Sequence, residues 1–200
     1  MATSRSTARL RLTAVLLFGV LALVAVSERS GASGLAGEAL QLTGLACLAS
    51  AALGRIWASV FIAGFKDARL VREGPYSVLR HPLYALSMVA MLGVGLATRS
   101  LAITAALVAA FGVIYLAAAR AEDQHLHALH GAEFERFRAE RRAFVPRRSA
   151  YRVPETLEIR PRVLWKAFLD AGSLLGYYAL LRLADALQLA GTTPTWLALP

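Results

Sequence analysis

Two adjacent pairs of ionisable residues carry the chemistry in this sequence. Arg80 and His81 directly precede Pro82 and a long apolar run, and Glu122 and Asp123 directly follow another. Pro82 suits the first turn of a helix and pushes the preceding His81 into extended backbone, so Arg80 and His81 fall at a helix N-terminus. Free amides and the helix dipole attract anions there, and the planar guanidinium fork of Arg80 suits a carboxylate. The chemistry implied is anion capture at the edge of an apolar segment. Glu122 and Asp123 come at the expected C-terminal end of their own helix, where the dipole prefers cations, and a local cost of that kind hints at use. Read alone, each feature has a plainer alternative: Arg80 snorkels to headgroups, His81 caps the loop, and Tyr76 and Tyr84 are interfacial belt aromatics.

The elements that hold these residues are set by composition. Of the 200 residues, 57% are apolar and 18% charged, with a mean hydropathy of +0.52, which excludes a water-soluble globule. Runs near the roughly 20 residues needed to cross a bilayer occur at Leu10 to Ser27, Leu35 to Gly54, Pro82 to Ala97 and Leu101 to Ala119, with a less pure fifth at Val163 to Leu189. The first run also has the make-up of a secretory signal, but the runs behind it make an uncleaved span the simpler reading. The fold class expected is therefore all-α: a polytopic helical membrane protein of about five transmembrane helices with a cytoplasmic amphipathic segment. Residues 1–54 form an N-terminal helical hairpin, 55–147 the core, and 148–200 a C-terminal segment containing the fifth span.

Charge placement orients this arrangement. The net charge is +9, yet only Arg29 and Arg99 of the 22 Lys and Arg lie in the short alternate loops, and Arg182 lies inside the fifth run. The rest cluster before the first run, between the second and third, and after the fourth. Basic residues accumulate on the cytoplasmic side, so the N-terminus and both long polar segments face the cytoplasm of an integral plasma or inner membrane protein. Nucleic acid is not needed to explain the charge; anionic membrane lipid is a sufficient partner. Between Arg55 and Val71 the apolar pattern is too short to span again and prolongs the second helix along the headgroup boundary, with Trp57 as an anchor. Gly74-Pro75 then ends any helix.

Arg120 to Tyr151 alternates apolar positions with charges and reads as helices lying along the membrane surface. His125, His127 and His130 do not share the i, i+4 face of a zinc site, so no metal is expected. The single Cys47 permits no intrachain disulfide. No G-x-G-x-x-G fingerprint opens a strand, which excludes a soluble Rossmann domain. Lys166 and Asp170 are one turn apart and are positioned to pair.

The run "GPYSVLRHPLY", Gly74 to Tyr84, resembles the G-P-Y-x-x-x-R-H-P-x-Y signature of the isoprenylcysteine carboxyl methyltransferase and phospholipid methyltransferase families. The likeness extends in order through "GRIWA" at Gly54 to Ala58 and "AEDQHLHALHGAEFERFRAERRAFVPR" at Ala121 to Arg147. The latter is similar to the families' acidic pair, Phe-Gly, Tyr-x-x-Tyr and Val-Pro-Arg tail. Asp123 stands where the second acid is usually Glu, His130 replaces the aromatic before Gly131, and Phe134 and Phe137 replace tyrosines. Any hydrogen bond those phenols make in relatives is absent here.

The resemblance implies an integral membrane methyltransferase that uses S-adenosyl-L-methionine, enclosed between the last helices and the cytoplasmic C-terminal segment. In that scheme Arg80 and Glu122 are the catalytic candidates. Tyr76, His81, Pro82, Tyr84, Glu122 and Asp123 bind the cofactor, with Glu122 accepting hydrogen bonds or balancing the sulfonium charge and Asp123 in support. The acceptor implied is lipidic, either a small molecule or a prenylated chain carrying an isoprenylcysteine-type carboxylate. An amine acceptor would instead need His81 or Glu122 to take its proton. A phospholipid-type N-methyltransferase, a nicotinamide-dependent membrane reductase and a non-catalytic scaffold are the competing readings. The sequence leaves the oligomeric state open.

Overall fold

The computed structural model describes residues 15–23, 27–28, 34–62, 69–147, 151–192 and 197–198. Among the described residues six helices carry the architecture: α1 (15–23), α2 (Gly34–Ile62), α3 (Pro75–Val78), α4 (Pro82–Ala97), α5 (Leu101–Glu140) and α6 (Pro161–Leu189). The strands β1 (Ser27–Glu28) and β2 (Leu197–Ala198) add a parallel two-residue pairing, Ser27 opposite Leu197. The described residues are otherwise helical or irregular. Two helices, α2 and α5, are long and apolar enough to cross a membrane. The apolar α4 is shorter, and α6 carries Arg162, Lys166, Asp170, Arg182 and Asp185 along its length. The first expected span is represented by α1, and the rest of it, like Lys66 and most of the tail after Thr192, lies outside the described residues.

The helices pack around α2 and α4. Gly44 and Gly93 let these two backbones touch, since a Cβ on either would lie 2.7–2.8 Å from the other's carbonyl oxygen. On this contact builds a core of Leu48, Ala51, Ala90, Met91 and Val94, closed by Leu107 and Phe111 of α5 and Leu181 of α6. Partly buried Leu16, Leu17, Val20 and Leu21 of α1 pack against it, and Tyr177 Oη donates to Leu17 O at 2.6 Å. Ser100 opens α5 by accepting from Ile103 N at 3.3 Å.

Polar contacts fix α6 antiparallel to α2. Arg55 of α2 meets Asp170 of α6, with Nε at 3.0 Å from Oδ2, and also bonds Ser87 Oγ of α4. Gln41 Nε2 donates to Asp185 Oδ2 at 2.7 Å, and Arg99 and Arg182 both donate to Gln41 Oε1. These contacts lie about 21 Å apart along the helices at 1.5 Å per residue. The sequence reading offered Lys166 as the partner of Asp170; the carboxylate goes instead to Arg55, because the packing of α6 on α2 brings a guanidinium fork against it.

The segment after Ala119 also departs from expectation. No new surface helix starts at Arg120: α5 continues without a break to His130 and kinks only at Gly131, whose φ of 49° and ψ of −123° are non-helical. Ala121 to His130 contains no strong breaker, and extending an existing helix is easier than nucleating another. Gly131 is the first residue that adopts positive φ without a steric penalty. Glu122 and Asp123 are therefore inside a helix, about two turns before its bend, and the dipole cost assigned to them does not arise. Beyond the bend, the arm 132–140 turns back and buries Phe134 and Phe137.

Candidate active site

The turn that carries Arg80 and His81 is built by local sequence and then tied down by a distant segment. Gly74 has φ 56°, and a Cβ there would lie 2.5 Å from the Phe61 ring, so both conformation and space demand glycine. Pro75 starts the one-turn α3, and Ser77 Oγ donates back to Gly74 O at 2.6 Å. The chain leaving α5 then straps across this turn through backbone hydrogen bonds. Arg80 N donates to Arg142 O at 3.0 Å, His81 N to Ala143 O at 3.2 Å, Arg147 N to Val78 O at 3.2 Å, and Gly74 N to Arg152 O at 2.7 Å. Ser77 Oγ also accepts from Arg152 N at 3.0 Å. Arg72 secures the arm from the other side, 3.0 Å from Glu133 Oε1 and 5.7 Å from the centre of the Phe137 ring.

With the turn fixed, Pro82 opens α4 and His81 is its non-helical N-cap, with φ −125° and ψ 64°. Both Arg80 and His81 then point at one carboxylate of α5. Arg80 Nη2 lies 2.9 Å from Asp123 Oδ2, and His81 Nε2 lies 2.8 Å from Asp123 Oδ1. The fork expected to face an anionic ligand is thus turned inward. Its second nitrogen, Nη1, donates to Arg141 O at 2.9 Å, while the buried Nε has no partner among the described residues. Asp123, read as the supporting acid, is the hub. Burial pulls its pKa upward, but the hydrogen bond and charge of His81, with the charge and hydrogen bond of Arg80, outweigh that and hold it below the ordinary 3.8.

Glu122 has a different surrounding. His81 Nδ1 lies 3.9 Å from its Oε2, and the Glu122 side chain is 24% exposed. It faces a cavity of about 180 Å³ lined also by Tyr76, Arg80, His81, Pro82 and Tyr84. Apolar Ile62, Leu70, Leu83, Leu126 and Phe137 complete the walls, with Arg69 among them. Tyr76 is buried, and its hydroxyl has no hydrogen-bond partner among the described residues. Burial, followed by the negative charge of Glu122, raises the phenol's pKa well above its usual value, so it remains a donor. Tyr84 lies 5.6 Å from the His81 ring and stacks on Tyr115 at 5.8 Å. All seven residues singled out from sequence therefore meet around one cavity or its immediate wall. By contrast, His127 sits 3.3 Å from Glu135, and among the described residues no group of three or more His, Cys, Asp or Glu is placed to hold a metal.

Sequence reading missed the backbone strap formed by residues 141–147 and Arg152, the cavity walls Leu126 and Phe137, and the Arg55–Ser87–Asp170 contact. Irregular backbone pairing leaves no periodic signal. Arg55 counts in the sequence only among the basic residues between the second and third runs, although an arginine inside a helical apolar pattern is a pointer to a partner.

The described residues thus form an all-helical chain, with two helices long and apolar enough to cross a membrane, whose acidic and basic pairs meet at one cavity. The chain belongs to the phospholipid methyltransferase family, whose model matches residues 34–133 and so covers the turn, α4 and both acids. It is similar to the nickel-cobalt-cadmium resistance protein NccN of Alcaligenes xylosoxydans xylosoxydans, at 33% identity over 162 residues, 81% of this chain and 76% of that protein. It is also similar to the cobalt-zinc-cadmium resistance protein CzcN of Cupriavidus metallidurans, at 36% identity over 148 residues, 74% of this chain and 68% of that one. No solved structure matches it.

Proposed function

We propose that this protein transfers the methyl group of S-adenosylmethionine to a lipidic acceptor at the membrane surface. The observation that carries the reading is the buried, unpartnered Tyr76 hydroxyl beside the Glu122 carboxylate in a largely apolar cavity, within a chain of a methyltransferase family. Those groups fit the cofactor: Glu122 would balance a sulfonium or accept from hydroxyl and amino groups, and Tyr76 would donate to a carboxylate or ribose oxygen. Pro82 and Tyr84 would wall it. When bound, the cofactor supplies an electrophilic methyl carbon. The protein's share is to align the acceptor, exclude water and keep the charges in a low-dielectric setting.

In this reading α1, α2, α4, α5 and α6 all cross the membrane, and the cavity opens on the cytoplasmic side, where the basic loops gather. The pairing of α6 with α2 over about 21 Å supports α6 as a span. A carboxylate of the isoprenylcysteine type was the acceptor expected from sequence. The resemblance implied it, and the Arg80 fork offered to hold such an anion, or the cofactor's own carboxylate, is taken by Asp123 and a backbone carbonyl. A link to metal tolerance, the property in the relatives' names, would run through modification of a membrane component, since the described acids and histidines form no ligand set.

The test is binding of S-adenosylmethionine and of NADPH to the detergent-purified full chain, with Glu122→Ala and Tyr76→Phe alongside. Binding of the sulfonium cofactor, weakened about tenfold or more by Glu122→Ala, is expected from a charge-assisted contact. Binding of NADPH alone would mean a reductase, and binding of neither a scaffold.

A further inference from the structure

We infer that the α2–α6 side of this protein fits a hydrocarbon layer of only about 21 Å and thins an ordinary bilayer around it, drawing headgroups and water down to Asp170 in one leaflet and Arg182 in the other. The inference rests on the reading in which α6 crosses the membrane and goes beyond it by fixing the kind of bilayer this face accepts. Two polar belts carry it. In the inner belt Arg55 of α2, Ser87 of α4 and Asp170 of α6 meet, with Arg55 Nε 3.0 Å from Asp170 Oδ2. In the outer belt Gln41 of α2 meets Arg99, just after α4, and Arg182 and Asp185 of α6. Between them, residues 42–54 of α2, 88–97 of α4 and 171–181 of α6 include no charged side chain. At 1.5 Å per residue the belts lie about 21 Å apart along α2, and about 18 Å separates Asp170 from Arg182 along α6. Tilt shortens both spans further, whereas the hydrocarbon core of a typical bilayer is about 30 Å thick.

Exposure gives the mismatch its consequence. The Asp170 side chain is 51% exposed and that of Arg182 43% exposed, so both charges reach the outside of the bundle. Neither escapes by snorkelling: Asp170 is short and held by Arg55, and Arg182 is held by Gln41 and Asp185. A charge against hydrocarbon is expensive, while thinning a bilayer costs little per ångström, so the lipid yields before the ion pairs do. The aromatic residues agree. Exposed Trp57 lies two residues beyond Arg55 and exposed Trp165 five residues before Asp170, both just on the cytoplasmic side of the inner belt, where an interfacial ring belongs. The 16 residues of α4 fit the same layer, at about 24 Å. The apolar stretch 101–119 of α5 is longer, about 28 Å, and α5 packs on α4, away from α6, so the thinning is confined to the α2–α6 side. Pro82 lies about 7 Å outward of Ser87 along α4, which leaves the cavity at the level of the headgroups.

The test places the full chain, with its single cysteine removed by Cys47→Ser, in vesicles of dimyristoleoyl, dioleoyl or dierucoyl phosphatidylcholine, in order of increasing thickness. A nitroxide is attached at one of three exposed α6 positions: Leu169→Cys beside Asp170, Leu183→Cys beside Arg182, or Leu175→Cys midway. Collision with an aqueous nickel reagent at the first two is expected to stay within about twofold across the three lipids, while the label at Leu175→Cys meets only oxygen. Loss of aqueous collision at Leu169→Cys or Leu183→Cys in the thicker bilayers overturns the proposal. Aqueous collision at Leu175→Cys means that α6 does not cross, and the proposal falls together with that reading. Thermal unfolding in the same vesicles gives a second readout. The wild-type midpoint should fall by about 5 °C or more from the thinnest lipid to the thickest, and Arg55→Met with Asp170→Leu, which strands neither charge, should flatten that dependence. A wild-type midpoint that is constant or rises with thickness overturns the proposal. Neither readout passes through methyl transfer, so a failure of that activity and a failure of this inference are told apart.

Discussion

Replacing Arg80 by methionine should destabilise the protein far more than removing the neighbouring charge of Glu122. The Arg80 side chain is 10% exposed and pairs at 2.9 Å with Asp123, itself 18% exposed. Its other nitrogen holds Arg141 O at 2.9 Å and so anchors the strap. Breaking one partner of a buried pair typically costs about 3–5 kcal/mol, because the remaining charge is left uncompensated. Asp123 keeps His81 at 2.8 Å, which brings the expected loss below that range, to about 2–3 kcal/mol. For a chain of this size that corresponds to a fall of about 5–10 °C in the thermal midpoint. Thermal unfolding in detergent, followed by helical circular dichroism, measures it, with Glu122→Gln as the comparison. Glu122 makes only the 3.9 Å approach to His81, so its variant should shift by less than about 2 °C. An unchanged midpoint in Arg80→Met, or equal losses in both variants, would refute the assignment of Asp123 as hub.

Three further outcomes follow from the same contacts. Asp123 has a lowered folded pKa, so the stability it contributes is complete above its ordinary value of 3.8 and is lost as pH falls below that toward the folded value; an acid titration of wild type against Asp123→Asn should show this slope only in the wild type. Arg55→Met should destabilise by about 1–3 kcal/mol by stranding Asp170, and adding Asp170→Leu should restore part of the loss in a double-mutant cycle. Gly93→Val should separate α2 from α4, since a Cβ there already lies 2.8 Å from Gly44 O, and should show as a cost of about 1–3 kcal/mol in the same melts.

The helical class and the site's membership were legible in the sequence for different reasons. Apolar runs announced α2, α4, α5 and α6 because hydrophobic burial is written residue by residue. Gly74, Pro75 and Pro82 announced the turn because their backbone limits are intrinsic. What escaped was every feature decided by tertiary approach. Nothing in "AEDQ" says that Asp123 rather than Glu122 rotates toward Arg80 and His81, since the two neighbours differ by about 100° around the helix and only packing chooses between them. The strap across Gly74 to His81 uses main-chain groups, which any sequence possesses. Arg55 and Asp170 are separated by more than half the chain, and their pairing became visible only once α6 lay antiparallel on α2. The kink at Gly131 was recoverable: the glycine was in view, but the uninterrupted helix formers before it were discounted in favour of a charge pattern.

Incubation of the purified full chain with methyl-labelled S-adenosylmethionine and native membrane extract, followed by separation of lipids, tests the methyl-transfer reading most directly. Label should enter a membrane lipid in the wild type and fall by about tenfold or more in Glu122→Ala and in Tyr76→Phe, the two groups placed to hold the cofactor. Transfer that proceeds equally in all three proteins, or no label in any lipid, would contradict it.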